Sequence, residues 1–155
     1  MHEAPPNEFA AYPQPSWNAA TSVDAALDGL IMVKSEAEAA RAYEVLLNAL
    51  GNNHAGTYFP VAIAVVPHLG TQLELGGPWS EYAAVEVLLD LAGSFEPEPG
   101  HELLTVPNAQ DRLNVRRELL AQVRLLVPAL RRLAKQDRPA SRGARELIEL
   151  VGADA

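Results

Sequence analysis

Four histidines are the side chains best suited to acid–base or metal chemistry at neutral pH. They are His2, His54, His68 and His101. Their spacing is irregular and forms no His-Glu-x-x-His motif, so we predict no metal site. The most suggestive of the four lies in the loop 52–57, before a predicted helix whose N-terminal amides would favour an anion. The same residue types are ordinary in loops and caps, so a structural role is the alternative. The loop supplies four candidate secondary contacts: Asn52, Asn53, His54 and Tyr58.

Nucleophilic and phosphate-binding motifs are missing from the sequence. The chain has no cysteine, which excludes cysteine nucleophiles and cysteine-ligated zinc. It contains neither a Gly-x-Ser-x-Gly elbow nor a Walker loop. Glu96 and Glu98 look like a catalytic carboxylate pair, but the prolines around them predict an extended loop rather than an enclosed cleft. We therefore expect a protein that is not an enzyme and that needs no cofactor.

One predicted helix, residues 78–92, carries aromatic and acidic side chains on the same face. Trp79, Tyr82, Glu86 and Asp90 fall within about 80° of one another at 100° per residue. The opposite side is apolar and should face the core: Ala84, Val87, Leu88 and Leu91. Aromatic side chains surrounded by charge are typical of protein-binding hot spots. The alternative is that the N-terminal arm or a neighbouring helix covers the two aromatics.

A basic stripe runs along the last third of the chain. Arg117, Arg124 and Arg131 recur every seven residues, with Lys135 on the same stripe. Such a face could follow a phosphate backbone, although any exposed helix face could look the same. No aromatic residues alternate with these cations, so nucleic-acid binding is not favoured.

Length and charge limit the protein to one acidic domain. The 155 residues carry a net charge of −8, which disfavours nucleic acid and anionic membranes as partners. Residues 1–110 hold fourteen acidic and two basic side chains (−12), and residues 111–155 hold six acidic and ten basic ones (+4). There is no apolar run long enough to cross a membrane and no visible signal peptide. We therefore expect a cytoplasmic protein.

The elements that must position these residues are predicted to be helices behind an extended arm. Residues 1–18 contain four prolines and should form the arm, with Phe9, Tyr12 and Trp17 lying against a single domain over 19–155. Sequence signals such as the Ser35–Glu38 capping box predict six helices. Their approximate ranges are 22–33, 36–50, 60–75, 78–92, 108–135 and 138–151. A short helical turn is expected within 101–107, and no strands are expected because no segment alternates with period two.

An offset of sixty-one residues relates two parts of the chain. Val66-Pro67 matches Val127-Pro128, and the helix-starting prolines Pro78 and Pro139 match each other. Further pairs share the offset: Ser80 and Ser141, Ala83 and Ala144, Val87 and Ile148, Leu89 and Leu150. The pattern predicts a helical hairpin used twice, with a proline-bent first helix in each copy.

These segments carry a family resemblance. The stretch 51–60 continued by Val66-Pro67-His68-Leu69, and residues 83–91 leading into Phe95-Glu96-Pro97-Glu98-Pro99-Gly100, resemble bacterial HEAT-repeat-like α-solenoid proteins. The resemblance covers residues 51–100 well and 125–151 loosely, and it allows only two or three repeats. It implies an all-α fold, a short stack of antiparallel helical hairpins. Some relatives of this type are encoded beside secreted polymorphic toxins, which implies an immunity role.

The sequence thus predicts a protein-binding module, and the family resemblance implies that it is an immunity protein, which would neutralise a bacterial toxin. The acidic face would complement the basic cleft of a toxin that acts on nucleic acid. Its residues would be Trp79, Tyr82, Glu86, Asp90, Glu96 and Glu98, with the 52–58 loop as a secondary contact. Two alternatives remain open: an adaptor or scaffold subunit that uses the same surface, and, less favoured, a HEAT-like enzyme acting on nucleic acid. The oligomeric state is left undetermined.

Overall fold

Seven α-helices make up most of the part of the chain that the structure describes. The computed structural model describes residues 8–105 and 111–152. The helices are α1 (Ser22–Ile31), α2 (Glu36–Leu50), α3 (Val61–Leu75), α4 (Pro78–Leu89), α5 (Val115–Arg124), α6 (Val127–Ala134) and α7 (Ser141–Val151). A 3₁₀ turn, Glu8–Ala11, precedes them, and a π turn, Asp90–Ser94, follows α4. None of the described helices is both long and apolar enough to cross a membrane.

Helix α4 lies at the centre of the helical packing. It packs most extensively against α2, α3 and α7, and it also contacts α1. Its buried apolar side chains are Ala83, Ala84, Val85, Val87 and Leu88. A helix buried on most sides has few positions left for solvent. The exposed positions of α4 are therefore informative about function.

Both ends of α2 are capped. At its start, the amide of Glu38 donates to the Ser35 hydroxyl at 3.1 Å, as in the expected capping box, but the Glu38 carboxylate accepts from the amide of Lys34 at 3.3 Å rather than from that of Ser35. At its end, each of the last four carbonyls accepts a hydrogen bond from a donor outside the helix. The donors are Gly51 N to Leu47, Trp17 Nε1 to Asn48, Asn18 Nδ2 to Ala49 and Phe59 N to Leu50. The α2 C-terminus therefore leaves no terminal carbonyl unsatisfied.

The described part of the N-terminal arm packs on the domain. Phe9 is buried, and its ring centroid lies 5.2 Å from that of His68 on α3. Glu8 and His68 approach to 2.6 Å between Oε1 and Nε2. Tyr12 packs against the core, and Trp17 stays half-exposed. Phe9 and Tyr12 therefore pack against the helices as expected, whereas the 3₁₀ turn departs from the extended conformation predicted for residues 1–18, and Pro5 and Pro6 lie outside the described residues.

The prediction that the chain has no strands is wrong. Strands β1 (Thr57–Tyr58) and β2 (Glu96–Pro97) pair in parallel, and β3 (Leu103–Thr105) pairs antiparallel with β4 (Arg112–Asn114). The expected helical turn within 101–107 is instead β3 where it is described; residues 106 and 107 lie outside the described part. Strands of two or three residues are too short to show an alternating pattern, so periodicity could not reveal them.

The predicted helix 108–135 is also wrong as a single helix. Residues 106–110 lie outside the described part of the chain, and Asn114 caps α5 by accepting from the amide of Arg117 at 2.9 Å. The helix then breaks at Leu125 and Leu126, and Pro128 stands in the first turn of α6. Proline is favoured there because first-turn amides have no partner within the helix.

The sixty-one-residue offset therefore relates equivalent positions only in the second helix of each predicted hairpin. Pro67 lies inside α3 as predicted, whereas Pro128 starts a helix rather than bending one. The second helices match better. Ser80 on α4 and Ser141 on α7 are both buried and hydrogen-bonded, Ser80 to the carbonyl of Leu30 at 3.0 Å and Ser141 from the amide of Arg138 at 3.0 Å. Helices α4 and α7 also pack on each other.

A buried ion pair fixes the start of α7 to α4. Arg138 donates from Nε and Nη2 to the two carboxylate oxygens of Glu81, at 2.8 and 3.1 Å. Glu81 is 5% exposed, so its carboxylate has little contact with water and relies on Arg138 for its hydrogen bonds. Sequence periodicity placed no such pair, because the two residues are far apart in the chain.

Candidate functional site

Within α4, the side chains that remain partly exposed include the aromatic and acidic ones predicted from the sequence. Trp79, Tyr82 and Glu86 are partly exposed, and Asp90 continues the strip as the first residue of the π turn. Ala84, Val87, Leu88 and Leu91 on the other side are fully buried, as expected. The central helix therefore offers solvent a narrow strip that carries two aromatic rings and two carboxylates.

The two aromatic rings pack edge to face. The centroids of Trp79 and Tyr82 lie 5.5 Å apart, with their planes at 80°. Burial raises the pKa of the Tyr82 phenol, and the carboxylates of Glu86 and Glu36 raise it further. The phenol thus lies near the first turn of α2 and keeps its proton at neutral pH. The pair presents a rigid, amphipathic edge.

Tyr43 on α2 ties the acidic part of the strip to the neighbouring helix. Its hydroxyl donates to Oδ2 of Asp90, while the Ser94 hydroxyl lies 3.4 Å from Oδ1. Burial, followed by the hydrogen bond to Asp90, raises the pKa of the Tyr43 phenol. Asp90 is therefore held by its neighbours in one orientation.

Glu86 has carboxylate neighbours and no ion-pair partner among the residues that the structure describes. Its pKa is raised first by burial and then by the negative charges of Asp90 and Glu146. Glu146 belongs to α7, which approaches α4 closely because residue 143 is glycine. A Cβ at that position would lie 2.7 Å from Cγ1 of Val85 and 3.5 Å from Oε1 of Glu86. The carboxylates of Glu86 on α4 and Glu146 on α7 thus lie close together beside Asp90, which Tyr43 ties to α2.

The π turn connects this strip to the loop that carries Glu96 and Glu98. The amide of Phe95 donates to the carbonyl of Asp90 at 2.8 Å, five residues back, and the chain then becomes β2. A π turn holds one residue more than an α-helical turn, and such turns are frequent at functional sites.

The β1–β2 pair joins the loop 52–57 to the loop that carries Glu96 and Glu98. Thr57 pairs with Glu96, Tyr58 pairs with Pro97, and the Thr57 hydroxyl donates to Oε2 of Glu98. Asn52 shapes the loop by accepting from the amide of Ala55 at 3.1 Å through Oδ1. Asn53 is partly exposed, and His54 and Glu96 are exposed. The candidate contacts therefore form two adjoining groups, one on α4 and one on the strand pair.

Tyr58 does not belong to that surface. Its side chain is fully buried, and no group among the described residues hydrogen-bonds to its hydroxyl. Burial raises the pKa of this phenol to about 12, although the Arg116 guanidinium acts against the shift. The prediction that Tyr58 contacts a partner is therefore wrong. A bulky side chain next to a loop can equally be part of the core.

Sequence reasoning missed Tyr43, Glu146 and Gly143. Tyr43 and Glu146 lie on helices whose faces could not be related to α4 before the packing was known. The glycine gave the only signal, because a glycine inside a predicted helix often has a packing reason.

The predicted arginine stripe is not continuous, and the described residues hold no cluster of metal ligands. The arginine stripe is interrupted at Leu125 and Leu126, and Arg124 donates from Nε to the carbonyl of Val151 at 3.0 Å rather than remaining free. In residues 8–105 and 111–152, no group of three or more His, Asp or Glu side chains could hold a metal ion. His2 lies outside these residues.

No protein-family model, curated protein or solved structure matches the chain.

Proposed function

We propose that this protein binds a basic protein partner through the α4 strip, and that the partner is a toxin which the protein neutralises. The observation that carries the proposal is the composition of the strip. A helix otherwise surrounded by the core leaves partly exposed a Trp–Tyr pair and two carboxylates, with a third carboxylate, Glu146, alongside. Aromatic side chains contribute most of the binding energy at many protein interfaces.

Charge supports a basic partner. Asp90 and Glu146 lie close enough to Glu86 to raise its pKa. Glu146 itself has one ion pair, with Arg142, which is long at 3.5 Å and exposed. A lysine or arginine from a partner would relieve this repulsion. The resulting attraction would act at long range and would speed association at low salt.

The helix order also supports a HEAT-like binding surface. Helices α2, α4 and α7 each follow a helix that they contact, namely α1, α3 and α6, with α5 between the second pair and the third, and α4 contacts both α2 and α7. In HEAT-like proteins, the second helices line the inner surface, which often binds the partner. The immunity role follows from the family resemblance, and a scaffold role would use the same strip.

The experiment is co-purification with the product of the neighbouring gene, followed by charge reversal. Glu86→Lys with Glu146→Lys should weaken binding at least about tenfold, because it replaces attraction by repulsion. Asp28→Lys with Glu118→Lys changes the net charge equally at positions outside the strip, and this control should bind nearly as well as the unchanged protein.

Two outcomes would contradict the proposal. Equal loss of binding in both double variants would mean that overall charge, not the strip, attracts the partner. Binding that is insensitive to salt would exclude electrostatic attraction. Protection of cells from the neighbouring gene product distinguishes immunity from scaffolding.

A further inference from the structure

The outer side of the α1–α2 helix pair forms an apolar surface that we call the end face. It consists of six exposed residues around a groove of about 190 Å³. They are Ala25, Gly29, Met32, Glu38, Arg41 and Val45. Buried Ala26, Val33 and Ala42 form the floor of the groove.

Two large apolar side chains of the end face are exposed to solvent. Met32 is 66% exposed and Val45 is 50% exposed, and they line the same groove. Gly29 is an exposed residue of α1, and a Cβ at this position would meet nothing within 4 Å. Another helix could therefore approach the α1 backbone closely.

Charge indicates which molecule could cover the end face. Lys34 and Arg41 are the only basic residues among the first 110, and both belong to the α1–α2 pair. Arg41 lies in the groove with Glu38 and forms no ion pair with any residue that the structure describes. Two copies of a protein with a net charge of −8 repel each other on average. The end face carries one guanidinium and one carboxylate, those of Arg41 and Glu38, so two copies can meet there without that repulsion.

We propose that the end face binds a second copy of this chain and forms a two-fold dimer. Two-fold symmetry brings the same patch of each copy together, so Arg41 of one copy can pair with Glu38 of the other while Met32 and Val45 become buried. Arg41 and Val45 each lie about 200° around α2 from Tyr43, on the other side of the helix. The dimer is therefore independent of the proposed partner and leaves the α4 strip open.

Sedimentation of the full chain over a range of micromolar concentrations tests the dimer. The unchanged protein should show the mass of two copies at the upper end. Met32→Glu with Val45→Glu should raise the dissociation constant at least about tenfold, because carboxylates would replace the apolar contact. Leu75→Glu is the control, since Leu75 is 81% exposed and lies outside the groove. It should dimerise normally.

Charge exchange tests the symmetry of the contact. Arg41→Glu and Glu38→Arg should each weaken self-association, and an equal mixture of the two variants should restore a mixed dimer. A chain that stays monomeric at every concentration would overturn the proposal, as would a Leu75→Glu variant that dissociates equally. A mixture that fails to associate would overturn the two-fold contact. Thermal unfolding of each variant checks that it is folded.

Discussion

Glu86 carries a conflict between folding and the proposed binding. Its carboxylate lies partly buried near two other carboxylates, and no group among the described residues donates a hydrogen bond to it. A partner cation would remove this conflict on binding. The free protein is therefore less stable at neutral pH than one with a neutral side chain at this position.

Glu86→Gln should raise the free energy of unfolding at pH 7 by a few tenths to about 1 kcal/mol, because it removes the repulsion. The pKa of Glu86 is raised, so the protein binds this proton more tightly when folded than when unfolded. The advantage of the variant should therefore shrink as the pH falls through the raised pKa of Glu86 and vanish below the ordinary glutamate pKa, where Glu86 is protonated in both states. Urea unfolding at several pH values measures this. Glu44→Gln on α2 is the exposed control, and an equal gain there would contradict the explanation.

Tyr58 and Tyr43 provide a matched pair for the hydroxyl group. Tyr58→Phe should leave the protein as stable or more stable by up to about 1 kcal/mol, because a buried hydroxyl without a partner contributes nothing favourable. Tyr43→Phe should cost about 1 kcal/mol, because it removes the hydrogen bond to Asp90. Denaturation midpoints compare the two. A larger loss in Tyr58→Phe would show that its hydroxyl is bound.

Alkaline pH gives a second test of Tyr58. The unfolded phenol ionises near its ordinary value of 10, whereas the folded one has a pKa of about 12. Ionisation of Tyr58 therefore leaves the free energy of unfolding unchanged below pH 10. As the pH rises from 10 towards 12, the unfolded chain loses this proton first, and the free energy of unfolding falls. Tyr58→Phe should lose less stability over that range, measured by urea unfolding. Equal losses would place the phenol in water.

At the scale of elements, the arm acts as the C-terminal cap of α2. Asn18→Ala should lower the free energy of unfolding by about 1 kcal/mol, because the carbonyl of Ala49 loses its donor. Ser16→Ala, an exposed position in the same segment, should have no measurable effect. Chemical denaturation measures both. A protein unaffected by Asn18→Ala would mean that water replaces the cap without loss.

The ion pair between α4 and the start of α7 should matter far more than the one between α3 and α6. Arg138→Ala leaves buried Glu81 without its partner and should cost about 2–4 kcal/mol. Arg132→Ala breaks an exposed pair with Glu74 and should cost less than about 1 kcal/mol. Thermal unfolding of both variants checks the contrast. Similar losses would mean that burial does not determine the value of these pairs.

The sequence predicted the first four helices well because each has local signals. The capping box at Ser35, the glycine at 51 and the prolines at 60 and 78 stand at helix ends or next to them. The region 101–135 was predicted poorly, because β3, β4 and the break at Leu125 depend on contacts with distant segments. Burial of the α4 face followed from helical periodicity alone. The contacts of Tyr43 and Glu146 required knowledge of how the helices pack.

For the whole molecule, the uneven charge distribution acts partly inside the fold. Arg138 and Arg132, from the basic end of the chain, pair with Glu81 and Glu74 from the acidic part. These pairs neutralise acids away from the strip and leave Glu86, Asp90 and Glu146 as the crowded carboxylates. If both proposals hold, the dimer displays two such strips, and a bivalent partner would be bound more tightly than a monovalent one.

The π turn at Asp90–Ser94 has a consequence for how such a surface could diversify. Each residue added to or removed from a helical turn rotates everything that follows by about 100°. A deletion of one residue between Leu91 and Ser94 would therefore keep the α4 strip intact while turning β2 and its loop to a new direction. Insertions and deletions at this one turn could change which partner is recognised, without any substitution among the contact residues.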